Sequence, residues 1–264
     1  MTRASRRWRR TDGHRPAQVS GEGCRRKGRA AGLLLLALAL AQCQAGGIST
    51  PAGPEGPAQT EFAPRGGPGR VVMLLSGHSG PRLYEEYATA LADEGYDVVV
   101  LDGKDILAAD QKGGERLAAA ITRAQRSPHA LPGKVAVIGF SQGGGGALTH
   151  AARWPVLVAA VVAYYPETDF MARYGGVAAY VARFRVPVLV LAGGVDTYHD
   201  CCLIGTMREM EKSARERGAD FALVVYPEAE HGFNLRIGLR PGDAEDAWRR
   251  ANEMLQAHFA GSAS

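Results

Sequence analysis

The chain has 264 residues, 46% hydrophobic and 22% charged, which suits one α/β domain or two small ones. Its net charge of +4 is unevenly spread: residues 1–45 hold ten Lys/Arg against two Asp/Glu, so the remainder carries −4. A mildly acidic body offers no basic surface for nucleic acid, and nucleic-acid partners are not expected.

The leader is basic, then apolar over residues 33–41, then small and polar, the order of a secretory signal. The apolar stretch is too short for a permanent transmembrane span. Residues 1–45 are therefore expected to direct export to the periplasm or the medium. Leu40-Ala41-Gln42-Cys43 resembles a bacterial lipobox with Gln42 in place of a small residue, so a lipid on Cys43 is the one membrane attachment the leader offers. Residues 46–69 are rich in Pro, Gly, Ala and Thr and read as a flexible linker, with an ordered domain over 70–264.

From there apolar runs alternate with helical periodicity. Residues 71–75 predict a strand that opens into Ser76-Gly77-His78-Ser79-Gly80. A helix over about 82–94 shows Leu83, Tyr87 and Leu91 on one face, and a strand follows at 98–101. Residues 115–126 read as helix, 135–138 as strand, 157–165 and 187–192 as strands, 202–217 as helix, 221–226 as the last strand and 243–260 as a final amphipathic helix. The strands are apolar throughout rather than alternating, which marks a mostly parallel sheet covered on both faces. Right-handed crossovers bring every strand's C-terminal end to one edge, where such folds bind ligands.

At that edge stands Gly139-Phe140-Ser141-Gln142-Gly143, between an apolar strand and a small-residue helix. With 34 glycines in the chain the pattern alone is weak, but its place at a strand–turn–helix junction is that of a nucleophile elbow. A dinucleotide site fails on spacing, because Ser141 occupies a required glycine position. A serine hydroxyl needs a base and the base needs an orienting carboxylate, in the chain order Ser, Asp/Glu, His. His231 follows the last strand and is assigned as base. His14, His129, His150 and His258 lie in the leader, in a turn before a strand, or on helices. Asp196 lies just past the strand ending at Ala192 and is assigned as the acid, ahead of Asp200 and Asp169. The oxyanion hole is assigned to the N–H groups of Gln142 and His78. Cys201 and Cys202 are neighbours, and two small buried thiols are expected there rather than a disulfide. With only His199 nearby at ligand spacing, no metal site is expected.

Three stretches resemble the dienelactone hydrolase family of α/β-hydrolases: residues 139–144, the Gly-x-x-Asp of 193–196, and Tyr226-Pro227-Glu228-Ala229-Glu230-His231-Gly232-Phe233. The resemblance covers about residues 70–259. It implies an α/β-hydrolase fold with a mostly parallel sheet of about six to seven strands, helices on both faces and a minimal cap. It also implies hydrolysis of carboxylic esters or lactones without cofactor or metal, and a small-molecule ester or lactone as partner. The namesake enzymes carry cysteine at the elbow; Ser141 points instead to carboxylesterase-like relatives. Their carboxylate-holding arginine pair would have to come from Arg82, Arg173 or Arg183. A catalytically silent hydrolase fold serving as a binding protein of the envelope is the rival reading.

Overall fold

The structure, a computed structural model, describes residues 46–235 and 238–260. The expected leader and Cys43 lie outside the described residues, and among those described no helix is long and apolar enough to cross a membrane. Eight strands form one sheet: β1 (Ile48–Thr50), β2 (Gln59–Phe62), β3 (Val71–Leu75), β4 (Asp97–Leu101), β5 (Val135–Phe140), β6 (Val158–Tyr164), β7 (Val188–Gly193) and β8 (Phe221–Tyr226). Their order is β1-β2-β4-β3-β5-β6-β7-β8. The pairings from β4 through β8 are parallel, while β1–β2 and β2–β4 are antiparallel.

The strand count and the linker expectation therefore change together. Residues 46–69 are not all linker: they hold β1 and β2, and Thr60 and Phe62 of β2 sit opposite Val100 and Val98 of β4. The reason is local. The three residues of β1 are all exposed, and β2 reads Gln-Thr-Glu-Phe, so neither carries an apolar run. Their place is fixed by the free edge of β4, which no sequence period announces.

Alternate residues of each parallel strand bury to opposite faces. Val71, Met73 and Leu75 join one core with α2 (Gly103–Ile106), α3 (Gly113–Ala124), α5 (Val177–Val181) and α6 (Ile204–Arg217), through Ile106, Leu117, Val181 and Met207. Val72 and Leu74 join the other with α1 (Glu85–Asp93) and α7 (Pro241–Ala260), through Leu91, Ala247 and Leu255. Burial on both faces accounts for the unbroken apolar strands. Residues 166–186 form only a 3₁₀ turn over Asp169–Tyr174 and the short α5, with Phe170, Tyr180 and Phe184 packed inward and Tyr174 exposed. The cap is minimal.

One polar cluster lies at the N-terminal edge of the parallel strands. Asp97, the first residue of β4, is fully buried, and neither carboxyl oxygen has a hydrogen-bond partner. Burial, with the Glu61 carboxyl beside it, pushes the Asp97 carboxyl up. The Ser127 hydroxyl donates to Glu61 Oε1 at 2.5 Å, and His129 Nδ1 stands 2.8 Å from the same oxygen.

Candidate active site

β3 and β5 are neighbours at the point where strand order reverses, so the loops after them diverge and leave a crevice. Ser141 ends β5 and precedes α4 (Gln142–Thr149), with φ 49° and ψ −113°. A non-glycine residue there is strained, and the surroundings hold it. The Ser141 N–H donates to Tyr164 O at 3.0 Å, and its carbonyl accepts from Gly145 (2.9 Å) and Glu167 (2.8 Å). The turn closes only because two flanking residues lack side chains. A Cβ at Gly139 would stand 2.3 Å from Gly143 O, and one at Gly143 would stand 2.3 Å from Leu75 O.

The structure brings Ser141, His231 and Asp196 into one hydrogen-bonded chain. His231 Nε2 is 3.0 Å from Ser141 Oγ, and Nδ1 is 2.8 Å from Asp196 Oδ2. A carboxylate only accepts, so Nδ1 carries the ring proton and Nε2 turns its lone pair to the hydroxyl. Asp196 is 2% exposed, and its other oxygen accepts the Tyr198 N–H at 3.0 Å. Asp200 and Asp169 are exposed. His129 sits at the opposite edge with Glu61. His150, at the end of α4, is half-buried, and desolvation holds its imidazole down at about 4.

The start of α4 and the loop after β3 both lie beside Ser141. Gln142, Gly143 and Gly144 precede the first i to i−4 bond of α4, made by Gly145, so their N–H groups have no acceptor within the helix. The loop after β3 abuts the nucleophile, since a Cβ at Gly77 would lie 3.3 Å from Ser141 Cβ. The Gly77 backbone beside the Tyr84 hydroxyl partly offsets the burial that pushes that phenol up to about 12. The next amide along, His78, carries an exposed side chain.

Several neighbours of the site escape motif reasoning. The Tyr198 ring lies nearly parallel to the His231 ring, 4.4 Å away, and Tyr165 meets it edge-on at 4.6 Å. The Tyr165 hydroxyl donates to Asn234 Oδ1 at 2.8 Å. Both tyrosines sit at the ends of strands on the site edge, or two residues past the acid, and that placement was the available signal. Glu167 is also adjacent, its carboxyl pushed up by burial and by Asp169 and drawn down by Arg173 and His231.

The cysteine expectation is corrected. Cys201 and Cys202 are joined as a disulfide. The loop presents them side by side because the Cys201 carbonyl accepts the Thr168 N–H at 2.8 Å and the Asp169 N–H at 3.2 Å, while His199 and Asp200 adopt left-handed φ. Nor is His199 the histidine to reckon with. Both sulfurs and a ring nitrogen of His231 lie within 4.8 Å of one another, a proximity made by the fold across some thirty residues of chain.

A cleft of about 570 Å³ lies beside α4, lined by Glu167, Phe170, Tyr180, Arg153, Arg173 and Arg183 among others, and Ser141, Asp196 and His231 are not among its lining residues. Arg173 pairs with Asp169 at 3.7 Å, and the Arg183 guanidinium lies 5.6 Å from the centre of the Tyr180 ring. Arg82 is exposed after the β3 loop and is not among the cleft residues.

Known proteins share this architecture. A Yersinia pestis protein named as a candidate carboxymethylenebutenolidase is 37% identical over 131 residues, 47% of each chain. The chain spans about half the length of the curated relatives it matches. The crystal structure of a candidate dienelactone hydrolase from Klebsiella pneumoniae superposes with a TM-score of 0.60 at 22% identity, over 77% of this chain and 92% of that one. A dienelactone hydrolase-like promiscuous phosphotriesterase from metagenomic libraries gives 0.63 at 20% identity, over 76% and 92%. These solved structures share an α/β-hydrolase fold with this chain. The model of the dienelactone hydrolase family matches residues 81–259, from the helix before β4 to the end of α7, and the chain belongs to that family.

Proposed function

We propose that this chain is an exported serine hydrolase acting on carboxylic esters or lactones. The observation that carries the reading is the geometry of one imidazole, with a serine hydroxyl 3.0 Å from Nε2 and a buried carboxylate 2.8 Å from Nδ1. In this reading Ser141 Oγ attacks the ester carbonyl as Nε2 takes its proton. Asp196 holds the ring in the tautomer that leaves Nε2 free and stabilises the imidazolium. The carbonyl oxygen becomes an oxyanion facing the N–H groups of Gln142 and His78 and the positive end of α4. The proton on Nε2 then passes to the leaving alkoxide, the C–O bond breaks, and an acyl-serine remains. Water loses a proton to Nε2 and attacks the acyl carbon, then the bond to Ser141 Oγ breaks, Oγ takes the proton back from Nε2, and the acid is released. Every proton in the cycle is handled by residues of this chain.

Export is supported by the order of the leader, basic then apolar then small. The short segment between β6 and β7 favours small esters: a 3₁₀ turn and α5 offer little to enclose a long acyl chain, so little remote binding energy is available to it. Esters of about two to four acyl carbons are expected to outrun those of about ten, each methylene being worth at most about 1–3 kcal/mol.

A fluorophosphonate probe tests the catalytic reading. It should label the protein on the peptide containing Ser141 and fail to label Ser141→Ala. A folded protein that takes no label is the silent binding fold. Intact mass of protein from its native host tests export, with a new N-terminus near residues 43–46 expected and a diacylglyceryl mass marking the lipidated form.

A further inference from the structure

The Cys201–Cys202 pair has no part in the cycle above, yet it stands against the base of that cycle. Cys202 is 1% exposed and Cys201 9%, and the two sulfurs share a 4.8 Å neighbourhood with a nitrogen of His231. The Cys201 N–H also donates to Tyr198 O at 3.0 Å, so the pair belongs to the same loop that stacks Tyr198 on the imidazole.

We propose that the reduced Cys201–Cys202 pair is a binding site for a thiophilic divalent cation, Zn²⁺ or Cd²⁺, with His231 as third ligand, and that the disulfide is the form that keeps this cation off the catalytic base. Two thiolates and an imidazole are the donor set such ions prefer. Bond lengths of about 2.3 Å to sulfur and 2.0–2.1 Å to nitrogen place tetrahedral ligands about 3.5–3.8 Å apart. Once reduced, the two sulfurs must move apart to that spacing while the imidazole and the sulfurs close by roughly 1 Å, shifts that cysteine χ1 rotation supplies.

The chemistry balances in two steps. A dithiol reductant gives two electrons to the S–S bond and becomes a disulfide itself, and its two protons end on Cys201 and Cys202. The cation then displaces both thiol protons to solvent and forms two M–S bonds, while the imidazole contributes a lone pair. Sulfurs tied in a disulfide carry no thiolate charge, so the oxidised protein lacks two of the three donors. Capture of His231 stops the relay by either route. Bound through Nε2, the ring has no lone pair for the Ser141 proton; bound through Nδ1, it loses Asp196. The inhibition rests on the hydrolase reading, whereas the cation site itself does not.

The test is a Cd²⁺ titration of the intact protein, oxidised and after reduction under native conditions, read by thiolate-to-cadmium charge-transfer absorption alongside ester hydrolysis. The reduced protein should bind one Cd²⁺ with the charge-transfer band and lose more than about nine-tenths of its hydrolysis, restored by a chelator. The oxidised protein should show neither effect. Cys202→Ser should lose the band. His231→Ala should weaken Cd²⁺ binding about tenfold or more, while His199→Ala leaves it unchanged. A pair that resists reduction in the folded protein, a reduced protein with no band, or unchanged affinity in His231→Ala overturns the proposal. If no variant folds, the oxidised and reduced wild-type protein decide it alone. A band without loss of hydrolysis removes His231 from the ligand set, and a band in a protein with no hydrolysis at all counts against the catalytic reading only.

Discussion

Both edges of the parallel sheet hold a serine, a histidine and a carboxylate, wired differently. At the C-terminal edge the imidazole of His231 uses its two nitrogens for two tasks, Nδ1 toward Asp196 and Nε2 toward Ser141. At the N-terminal edge Ser127 Oγ and His129 Nδ1 converge on one oxygen of Glu61, and Nδ1 is also the nitrogen 3.4 Å from Ser127 Oγ. One nitrogen facing both partners cannot relay a proton between them, and the Ser127 hydroxyl already donates to the acid. The two buried aspartates differ as well. Asp196 is met by an imidazole and a backbone N–H, whereas Asp97 meets no N–H or hydroxyl donor and faces the Glu61 carboxyl. The same residue types stand at both edges, and only at one does a ring bridge hydroxyl and carboxylate.

The sharpest way to break this contrast is to remove the same residue types at both edges. Ser141→Ala and His231→Ala should each lower kcat/KM on p-nitrophenyl acetate by about 10⁴-fold or more, with little further loss in the double variant, because such groups act as a unit. Ser127→Ala and His129→Ala should stay within about twofold, as surface-edge changes that touch no reacting atom. Retention of a tenth of the wild-type rate by Ser141→Ala would end the assignment.

The acids come next. Asp196→Asn should lower kcat by about 10²–10⁴-fold with the fold intact, since the wrong tautomer of His231 then faces the serine. Asp200→Asn should cost less than about threefold, because Asp200 is exposed and outside the hydrogen-bonded chain. Equal losses would transfer the role.

Asp97 offers a comparison in stability rather than rate. Burial and Glu61 raise its carboxyl to about 7. Above the ordinary carboxylate range the unfolded chain has released this proton while the folded chain still holds it. The unfolded state then binds fewer protons, so stability falls as pH rises from about 4 to about 7 and levels off above. Asp97→Asn should flatten that slope, and urea midpoints at pH 5 and pH 8 for the two proteins measure it. An unchanged slope would place the proton elsewhere.

The smallest expected effect tests the wall of the site. Tyr198→Ala removes a ring stacked on His231 and should cost about two- to tenfold in kcat/KM, the range of an aromatic pair worth about 0.5–1.5 kcal/mol. A loss as large as that of Asp196→Asn would make Tyr198 part of the relay rather than its support.

How much of this was legible in the sequence depends on where the determining contact lies. The five inner parallel strands β3 to β7 bury both faces, and the half-buried edge strand β8 is apolar as well, so each reads as an apolar run whatever its neighbours. Ser141, Asp196 and His231 follow strand ends, and topology alone sends those ends to one edge. The hairpin of β1 and β2 was not legible, because its polar residues are strands only by leave of β4. The disulfide was hidden for a related reason: local spacing said nothing of the loop held by Thr168 and Asp169, or of His231 beyond it. Tyr165 and Tyr198 carry no motif, and only the fold brings the one edge-on and the other face-on to His231.

The run of glycines opening α4 bears on how this protein could be altered. Helical glycine costs about 1 kcal/mol relative to alanine, yet here a methyl group at Gly143 or Gly145 would stand 2.3 Å from Leu75 O or 2.4 Å from Glu167 O. Backbone rests directly on backbone along this side of the nucleophile. A library that randomises these positions should return glycine almost without exception, whatever ester is used for selection. New substrate range is expected to enter from side chains of the loops at 166–186 and 196–202 rather than from these backbone-packed positions. The floor of the site is closed to evolution, and its walls are open.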